Sequence, residues 1–454
     1  MQFTVINPAS GEKLRDYPIW DAARLDAALT LTAAATPAWM ARPLDARAAL
    51  LRHAGEVLLR RRDEFAALMS REMGKLIAEA RAEIEKCARC CAFYAEQAAG
   101  LLADEPAHTD AAKSYVTYQP LGTVLAIMPW NFPFWQVIRA AAPALAAGNT
   151  MVLKHADNVP GCALALDQVF RQAGCPEGVF QTLMIGIPQV DGVIRDARVH
   201  AVTLTGSERA GRAVAGAAGE ALKKCVLELG GSDAFVVLDD ADVKLAAEVG
   251  AKSRYQNAGQ SCIAAKRFIV AEKIAAAFLR EFQARAAALK PGDPLDENTS
   301  LAPMARIDLR DGLHRQVQDA LTKGASALSG GAPLAGKGAF YAPTILEGVQ
   351  PGMRAWSEEL FGPVALVIRV RDEDEALRVA NGSPYGLGGS VWTRDAARGE
   401  AFARRLQSGS AFVNGLVKSD PRLPFGGIKQ SGYGRELARH GIREFTNAKS
   451  VWIA

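Results

Sequence analysis

Three features of the 454-residue chain predict an α/β fold built around parallel sheets. Strand-like runs rich in β-branched and aliphatic residues alternate with helical stretches, which is the pattern of βαβ units. Most of these runs end in Gly, Pro or Asp, residues typical of the turns that leave a strand. The length corresponds to two or three domains at roughly 150 residues each. We therefore expect two α/β lobes, joined near residues 230–251.

The individual elements follow from local periodicity. From Asp21 to Ala99, apolar residues recur every three or four positions, which predicts amphipathic helices. Strands are then predicted at the runs GTVLAIMP, TMVLKH, VFQTLMI, AVTLTG, CVLELGG, AFVVLDD and RFIVAE. After Glu272 the pattern predicts a helix to Leu289, a Pro- and Gly-rich turn and a helix from Arg310 to Gly324. Strands at PVALVIRV, GGSVWT and GSAFVNG complete the second lobe.

Composition excludes several classes of protein. With 49% hydrophobic and 22% charged residues, the chain is an ordinary globular protein rather than a disordered one. A net charge of +4 without basic blocks gives no electrostatic basis for nucleic-acid binding. The longest apolar stretch, Val124 to Met151, is interrupted by three prolines, Asn131 and Arg139, so we expect no membrane helix. Few cysteines and no secretory pattern at the N-terminus predict a cytoplasmic protein.

Three short segments carry candidate catalytic residues. Cys262 follows small residues in NAGQSC, as a thiolate nucleophile requires for close approach of a carbonyl group, although a lone cysteine is often simply buried. Glu228 ends an apolar strand, where a general base or a surface acid could lie. Asn131 is flanked by prolines in PWNFP, which would hold its amide rigidly for an oxyanion or form only a rigid loop.

Metal and nucleotide motifs are weak when taken singly. Cys87, Cys90 and Cys91 include a C-x-x-C spacing, but a helical context without further ligands favours burial, and we expect no metal site. The chain contains no G-x-G-x-x-G. Instead, the strand AVTLT ends in Gly206 and Ser207 before a helix, a junction whose backbone N–H groups could bind a pyrophosphate.

Six motifs together resemble the aldehyde dehydrogenase superfamily: PWNFP at 129–133, TGS at 205–207, ELGG at 228–231, GQSC at 259–262, EELFGPV at 358–364 and PFGGIKQSGYGRE at 424–436. The resemblance covers essentially the whole chain. It implies a modified Rossmann cofactor domain (1–101 and 121–229), an α/β catalytic domain (230–430) and a small β oligomerisation element (102–120 and 431–454). The modified cofactor domain would explain the missing glycine fingerprint.

The resemblance also implies roles for single residues. Cys262 would be the nucleophile, Asn131 and the Cys262 backbone N–H the oxyanion hole, and Glu228 the base that hydrolyses a thioester. The cofactor would contact a further set of residues: Trp130, Lys154, Gly206, Ser207, Glu359 and Phe361. Asp157 stands where NAD-preferring relatives often have a glutamate, so we expect NAD, with NADP use also possible.

Substrate residues follow from the same resemblance. Arg139, eight residues after Asn131, resembles the arginine of succinate-semialdehyde dehydrogenases and would bind the remote carboxylate, unless it is structural. A second arginine of some relatives is replaced by Gln256, beside Tyr255, so Ser419 would assist Arg139. The expected reaction is NAD(P)-dependent oxidation of succinate semialdehyde. Glutarate semialdehyde or a neutral aliphatic aldehyde is the alternative substrate.

Two other functions and an oligomeric state are also considered. A cofactor-independent thiol hydrolase using Cys262 and Glu228 would leave the TGS and EELFGPV motifs unexplained, and a non-catalytic scaffold would leave the intact candidate residues unexplained. The apolar C-terminal run SVWI would form an exposed strand edge unless another subunit covers it. We expect a homodimer or homotetramer.

Overall fold

The computed structural model describes residues 1–454 and begins with a hairpin followed by a helical layer. The hairpin pairs β1 (Gln2–Ile6) with β2 (Lys13–Pro18), and the periodicity did not predict it. The predicted helical region is confirmed as four helices: α1 (Ala22–Ala41), α2 (Leu44–Arg60), α3 (Arg62–Met73) and α4 (Ile77–Leu101). Two strands of a separate small sheet follow, β3 (Glu105–Pro106) and β4 (Lys113–Pro120).

A six-stranded sheet occupies the next part of the chain, and helices connect five of its strands in parallel. Its elements are β5 (Thr123–Met128), α5 (Trp135–Ala147), β6 (Thr150–His155), α6 (Pro160–Gln172), β7 (Phe180–Thr182), α7 (Ile187–Arg195), β8 (Ala201–Thr205), α8 (Glu208–Glu220) and β9 (Lys224–Glu228). The parallel strands lie in the order β9-β8-β5-β6-β7. The connections therefore change direction between β5 and β8, the position where open parallel sheets bind ligands.

A seven-stranded sheet forms the second lobe. Its part of the chain comprises β10 (Asp233–Val237), α9 (Val243–Tyr255), β11 (Ala265–Ala271), α10 (Glu272–Ala287), α11 (Ile307–Thr322), β12 (Ser326–Ser329), β13 (Thr344–Glu347), α12 (Arg354–Ser357), β14 (Val364–Val370), α13 (Glu373–Asn381), β15 (Tyr385–Gly386), β16 (Gly388–Trp392), α14 (Ala396–Arg405) and β17 (Ser410–Val413). The sheet order is β12-β13-β14-β11-β10-β16-β17, and only β12 is antiparallel to its neighbour. The sequence pattern missed β12 and β13.

The C-terminal segment contributes to three sheets. It contains β18 (Ile428–Lys429), β19 (Gly432–Tyr433), α15 (Ala438–Glu444) and β20 (Thr446–Ile453). β20 pairs with β4 over eight residues and completes a three-stranded sheet with β3. β19 instead joins β9 of the six-stranded sheet. Gly432 permits this pairing, because its φ is +108° and a side chain there would collide with the carbonyl oxygen of Leu227.

The fold class predicted from the sequence is confirmed by two mainly parallel sheets with helices on their faces. The largest apolar core packs the helical layer and α5 against the six-stranded sheet, and Cys87, Cys90 and Cys91 are fully buried in it. No helix combines the length and the apolar character needed to cross a membrane. The segment between β9 and β10 carries the chain from one sheet to the other, so residues of both lobes meet there.

Candidate active site

Two cavities meet at the segment 260–263, which precedes β11. Cys262 lines the first cavity, of about 350 Å³, whose walls come from the loops after β5 and β8 and from residues near 360; we call it the cysteine cavity. Ser261 and Ile263 line the second, of about 580 Å³. Five basic residues line this cationic cavity: Lys86, Arg89, Lys252, Lys418 and Arg422. The segment around Cys262 therefore borders both spaces.

The turn before Cys262 is held in an unusual backbone conformation. Asn257, Ala258 and Gly259 have successive φ values of +53°, +52° and +73°. Such angles are costly for residues with side chains, so the surroundings must hold the turn. Arg254 does so by donating to the carbonyl oxygens of Gly259 (2.5 Å) and Ala265 (3.0 Å). A carboxylate from α4, Glu79, also accepts the backbone N–H of Asn257 at 3.1 Å.

Cys262 is half-buried and opens onto the cysteine cavity. Burial raises the pKa of its thiol to about 12, although the positive charges of Lys266 and Arg139 act in the opposite direction. The thiol is therefore protonated in this conformation and needs a base when it acts as a nucleophile. Lys266 also fixes the backbone here, because its Nζ donates to the carbonyl oxygens of Ser261 (2.7 Å) and Cys262 (2.8 Å).

Asn131 lies against the same turn. Its side-chain Nδ2 donates to the backbone carbonyl oxygen of Gln260 at 3.1 Å. The backbone carbonyl oxygen of Asn131 accepts from Asn257 Nδ2 at 2.8 Å. One N–H of the Asn131 amide thus fixes the side chain, and the second is available to a ligand. The backbone N–H of Cys262 makes no hydrogen bond within the protein. These two donors have the chemistry of an oxyanion hole.

A buried carboxylate on α4 holds the segment that follows Asn131. Glu83 accepts the backbone N–H groups of Phe134 and Trp135, each at 2.9 Å, where α5 begins. Its other oxygen forms an ion pair with Lys75, which is fully buried. Sequence reasoning missed this support, because Glu83 lies far from Asn131 along the chain.

Glu228 ends β9 and is 2% exposed. Neither of its carboxylate oxygens has a hydrogen-bond partner. Burial and the nearby Glu436 raise the pKa of Glu228 to about 8, while Arg139 opposes the shift. A buried carboxylate with a raised pKa near neutrality is suited to accept a proton during a reaction.

Most residues that the resemblance assigns to a cofactor lie around the cysteine cavity. Its lining includes Trp130, Gly206, Ser207, Glu359 and Phe361. The rings of Trp130 and Phe361 meet edge to face at 5.7 Å. Ser207 caps α8, whose N-terminus faces the crevice between β5 and β8. An aromatic wall beside a helix N-terminus fits a nicotinamide dinucleotide, since such an end binds phosphate.

Lys154 and Asp157 occupy a neighbouring position outside the lining of that cavity. Lys154 is the penultimate residue of β6, opposite Ile127 of β5, and its Nζ pairs with Asp157 Oδ1 at 2.5 Å. Lys154 is buried, whereas the Asp157 side chain is 42% exposed. A cofactor that bound Lys154 would therefore also meet the negative charge of Asp157.

The expected substrate residues are divided between two environments. Gln256 and Ser419 line the cationic cavity. Tyr255 does not: its hydroxyl donates to the carbonyl oxygen of Thr344 at 3.3 Å and its ring stacks on Phe282. The expectation for Tyr255 is corrected, because the last turn of α9 directs this ring into the core of the second lobe.

Arg139 also lies outside the cationic cavity. Its side chain is 2% exposed and forms an ion pair with Glu436, which is 5% exposed. The guanidinium also donates to Thr205 Oγ1 at 3.3 Å and lies over the ring of Phe425 at 4.7 Å. In this structure the carboxylate partner of Arg139 is Glu436, and its role as the substrate-binding arginine stays a prediction.

Sequence reasoning did not identify the five basic residues that line the cationic cavity. They come from α4, α9 and the loop after β17, three distant parts of the chain. Lys86 had one local signal, since it is a basic residue immediately before the buried Cys87, Cys90 and Cys91. Helical spacing alone did not show that this position faces a cavity.

Comparison with known proteins places these observations in a family. Residues 1–451 match the aldehyde dehydrogenase family. The succinate semialdehyde dehydrogenase [NAD(P)+] Sad of Escherichia coli K12 is 50% identical over 447 residues, which is 98% of this chain and 97% of that protein. A probable succinate-semialdehyde dehydrogenase [NADP(+)] of Synechocystis is 52% identical over 378 residues, 83% of each protein. A solved succinic semialdehyde dehydrogenase of Streptococcus pyogenes, in complex with NADP+, superposes with a TM-score of 0.97 at 39% identity over 99% of each chain.

Proposed function

The chain belongs to the aldehyde dehydrogenase family, and we propose that this oxidoreductase converts succinate semialdehyde to succinate with NAD or NADP. The relatives from E. coli and Synechocystis, a succinate semialdehyde dehydrogenase and a probable one, support this substrate. The observation that carries the proposal in this chain is the cationic cavity beside Cys262.

The charges of that cavity favour an anionic substrate. Five basic residues face three acids in its lining. Two of the acids have internal cationic partners, since Asp420 pairs with Arg422 at 2.6 Å and Glu83 pairs with Lys75. The third, Glu79, has a pKa that burial raises, which favours its neutral form. The remaining positive charge suits a substrate with a carboxylate at the end opposite its aldehyde.

The residues around the cysteine cavity would hold the cofactor. Trp130, Phe361 and the N-terminus of α8 fit a nicotinamide ring and a pyrophosphate, and Lys154 and Glu359 carry groups that can bind ribose hydroxyls. When bound, the nicotinamide supplies the hydride acceptor for aldehyde oxidation. Asp157 disfavours a 2′-phosphate next to Lys154 by charge, so we infer a preference for NAD with NADP also used.

The protein's part in the chemistry begins at Cys262. Its sulfur adds to the aldehyde carbon, and the amide of Asn131 with the backbone N–H of Cys262 stabilises the oxyanion. The thiol must first lose its proton. Glu359 and Glu228 are the carboxylates that act on it, and Glu228, whose oxygens have no hydrogen-bond partner, accepts this proton and passes it to solvent before hydrolysis begins. Oxidation leaves a thioester on Cys262. Glu228 then takes a proton from water, which attacks the thioester and releases the acid.

A steady-state comparison tests the proposal. We would measure formation of reduced nicotinamide with succinate semialdehyde and with butanal, which replaces the carboxylate by a methyl group, each with NAD and with NADP. We expect a kcat/KM for the semialdehyde at least about tenfold higher, as one charge-assisted hydrogen bond can supply. Equal values for the two aldehydes would contradict the substrate proposal, and Cys262→Ala is the inactive control.

We further infer a cytoplasmic homo-oligomer, either a dimer or a tetramer. β20 leaves large apolar side chains in solvent, with Trp452 56% and Ile453 46% exposed. The small sheet of β3, β4 and β20 thus presents the kind of strand edge that another subunit can cover. Sedimentation at several concentrations would detect this assembly, and a monomer at all of them would refute it.

A further inference from the structure

Lys86 differs from every other cation of the cationic cavity. It lies on α4 and is partly buried, whereas Arg89, Lys252, Lys418 and Arg422 are all exposed. Its Nζ lies 4.0 Å from the centre of the Trp135 ring, so an aromatic face covers one side of the ammonium group. This side chain is therefore held in place, while the other four cations lie exposed to solvent.

The ammonium group of Lys86 has no carboxylate partner in the protein. Its one hydrogen bond is donated to Ser419 Oγ at 2.7 Å. Burial lowers the pKa of Lys86 to about 8, and the nearby Arg139 acts in the same direction. A partly desolvated cation without a counterion is costly, so its environment favours the arrival of an anion.

Lys86 and Ser419 together have the donors that a carboxylate needs. Ser419 is 6% exposed, and its oxygen accepts from Lys86, which leaves its hydroxyl hydrogen available. The ammonium group retains two further N–H donors. A carboxylate between them could accept one hydrogen bond from each residue, both at fixed positions.

The two residues are placed at the far end of a substrate that reaches Cys262. Ser261 and Ile263, the neighbours of the nucleophile, line the same cavity as Lys86 and Ser419. An aldehyde bound at Cys262 therefore extends its remaining carbons into the space that Lys86 closes from the α4 side. We propose that Lys86, positioned by Trp135 and paired with Ser419, is the residue that selects semialdehydes by binding their carboxylate. This inference rests on the proposed function and deepens it.

Variants of Lys86 test the assignment. Lys86→Met removes the charge at similar length, and Lys86→Arg keeps it. Lys418→Met removes a charge from the exposed rim of the same cavity, and Lys244→Met removes one from an exposed position on α9 outside both cavities. Each protein would be assayed with succinate semialdehyde and with butanal at saturating cofactor.

We expect Lys86→Met to lower kcat/KM for succinate semialdehyde by about 10- to 100-fold, mainly through KM, because a charge-assisted contact is lost. The kcat/KM for butanal should fall no more than about fivefold, because the effects of exposed or distant charges are of that size. Lys418→Met should stay within the same limit, and Lys86→Arg should recover part of the loss. An equal loss for both aldehydes, or an equal effect of Lys418→Met, would overturn the assignment.

A binding measurement separates this proposal from the proposed function. 4-Hydroxybutyrate carries the same carboxylate but no aldehyde, so calorimetry measures its binding without any turnover. We expect binding to wild type and to Lys244→Met, and at least about tenfold weaker binding to Lys86→Met. If wild type shows no preference for the semialdehyde over butanal, the proposed function fails. If wild type has that preference and Lys86→Met keeps both it and the binding, only the role of Lys86 fails.

Discussion

The buried pair of Arg139 and Glu436 leads to a prediction that distinguishes a structural arginine from a substrate-binding one. Arg139→Met removes the cation and leaves Glu436 buried without its partner. The same change removes the positive charge that lowers the pKa of Glu228. We therefore expect lower stability together with a change in the pH dependence of activity, but no change in substrate selectivity.

The size of the stability loss follows from the burial of the pair. Arg139 and Glu436 are 2% and 5% exposed, so solvent screens their charges very little. Removing one partner of such a pair costs about 3–5 kcal/mol. For a chain of this length, this corresponds to a fall in the thermal midpoint of about 3–5 °C. The double variant Arg139→Met/Glu436→Leu should regain most of the loss, because it leaves no unpaired charge.

The assay combines thermal unfolding with kinetics for two aldehydes. Loss of Arg139 raises the pKa of Glu228 further, so the base form of Glu228 should appear only at higher pH, and the rising limb of the pH–rate profile should move upward. The ratio of kcat/KM for succinate semialdehyde to that for butanal should stay within about fivefold of wild type. If Arg139→Met is stable and this ratio falls about tenfold or more, a purely structural role for Arg139 is refuted and Arg139 binds the substrate carboxylate.

Three other variants address the base, the turn and the cofactor. Glu228→Gln should accumulate acyl-enzyme, seen as added mass on the protein after aldehyde and cofactor are mixed; rapid turnover would contradict its role as the base. The folded pKa of Glu228 is raised from 4.5 to about 8, so wild type loses stability as the pH rises from about 4.5 to about 8. Glu228→Gln lacks this loss and should have a higher thermal midpoint than wild type above about pH 8. Thermal midpoints of the two proteins that change in parallel with pH would contradict this expectation. Gly259→Ala places a side chain at a φ of +73° and against the carbonyl oxygen of Gly362. Both kcat and the alkylation rate of Cys262 should therefore fall at least about tenfold. Unchanged values of both would show that the turn tolerates a Cβ atom. Asp157→Ala removes a charge beside Lys154 and should improve kcat/KM for NADP relative to NAD by up to about fivefold, with no shift expected if Asp157 does not face the cofactor.

Local patterns predicted the elements that a sheet buries completely. β6 and β8 are buried at every position, and the aliphatic residues of MVL in β6 and AVTL in β8 mark them in the sequence. β12 was missed because its four residues are all at least partly exposed and form the antiparallel edge of the sheet. Whether such a short segment forms a strand depends on the strand it pairs with more than on its own residues.

The active site was predicted only as far as motifs extend along the chain. Cys262, Asn131 and Glu228 lie in short segments whose residue types suit their chemistry. The sequence did not show that Glu436 pairs with Arg139, the residue predicted to bind the substrate carboxylate. Lys86 reaches Ser419 across 333 positions, a contact that only the packing of α4 against the loop after β17 creates.

The meeting of the two cavities at Cys262 has a kinetic consequence. Exposed residues edge both spaces, Ser207 at the cysteine cavity and Arg89 at the cationic one, so each has its own route to solvent. A spent dinucleotide can therefore depart through one route while an acyl group still occupies the other. Release of the two products need not be sequential, and an abundant acid could hold an otherwise regenerated enzyme in an unproductive complex. The concentration of product around the enzyme would then set its working rate as directly as the supply of aldehyde.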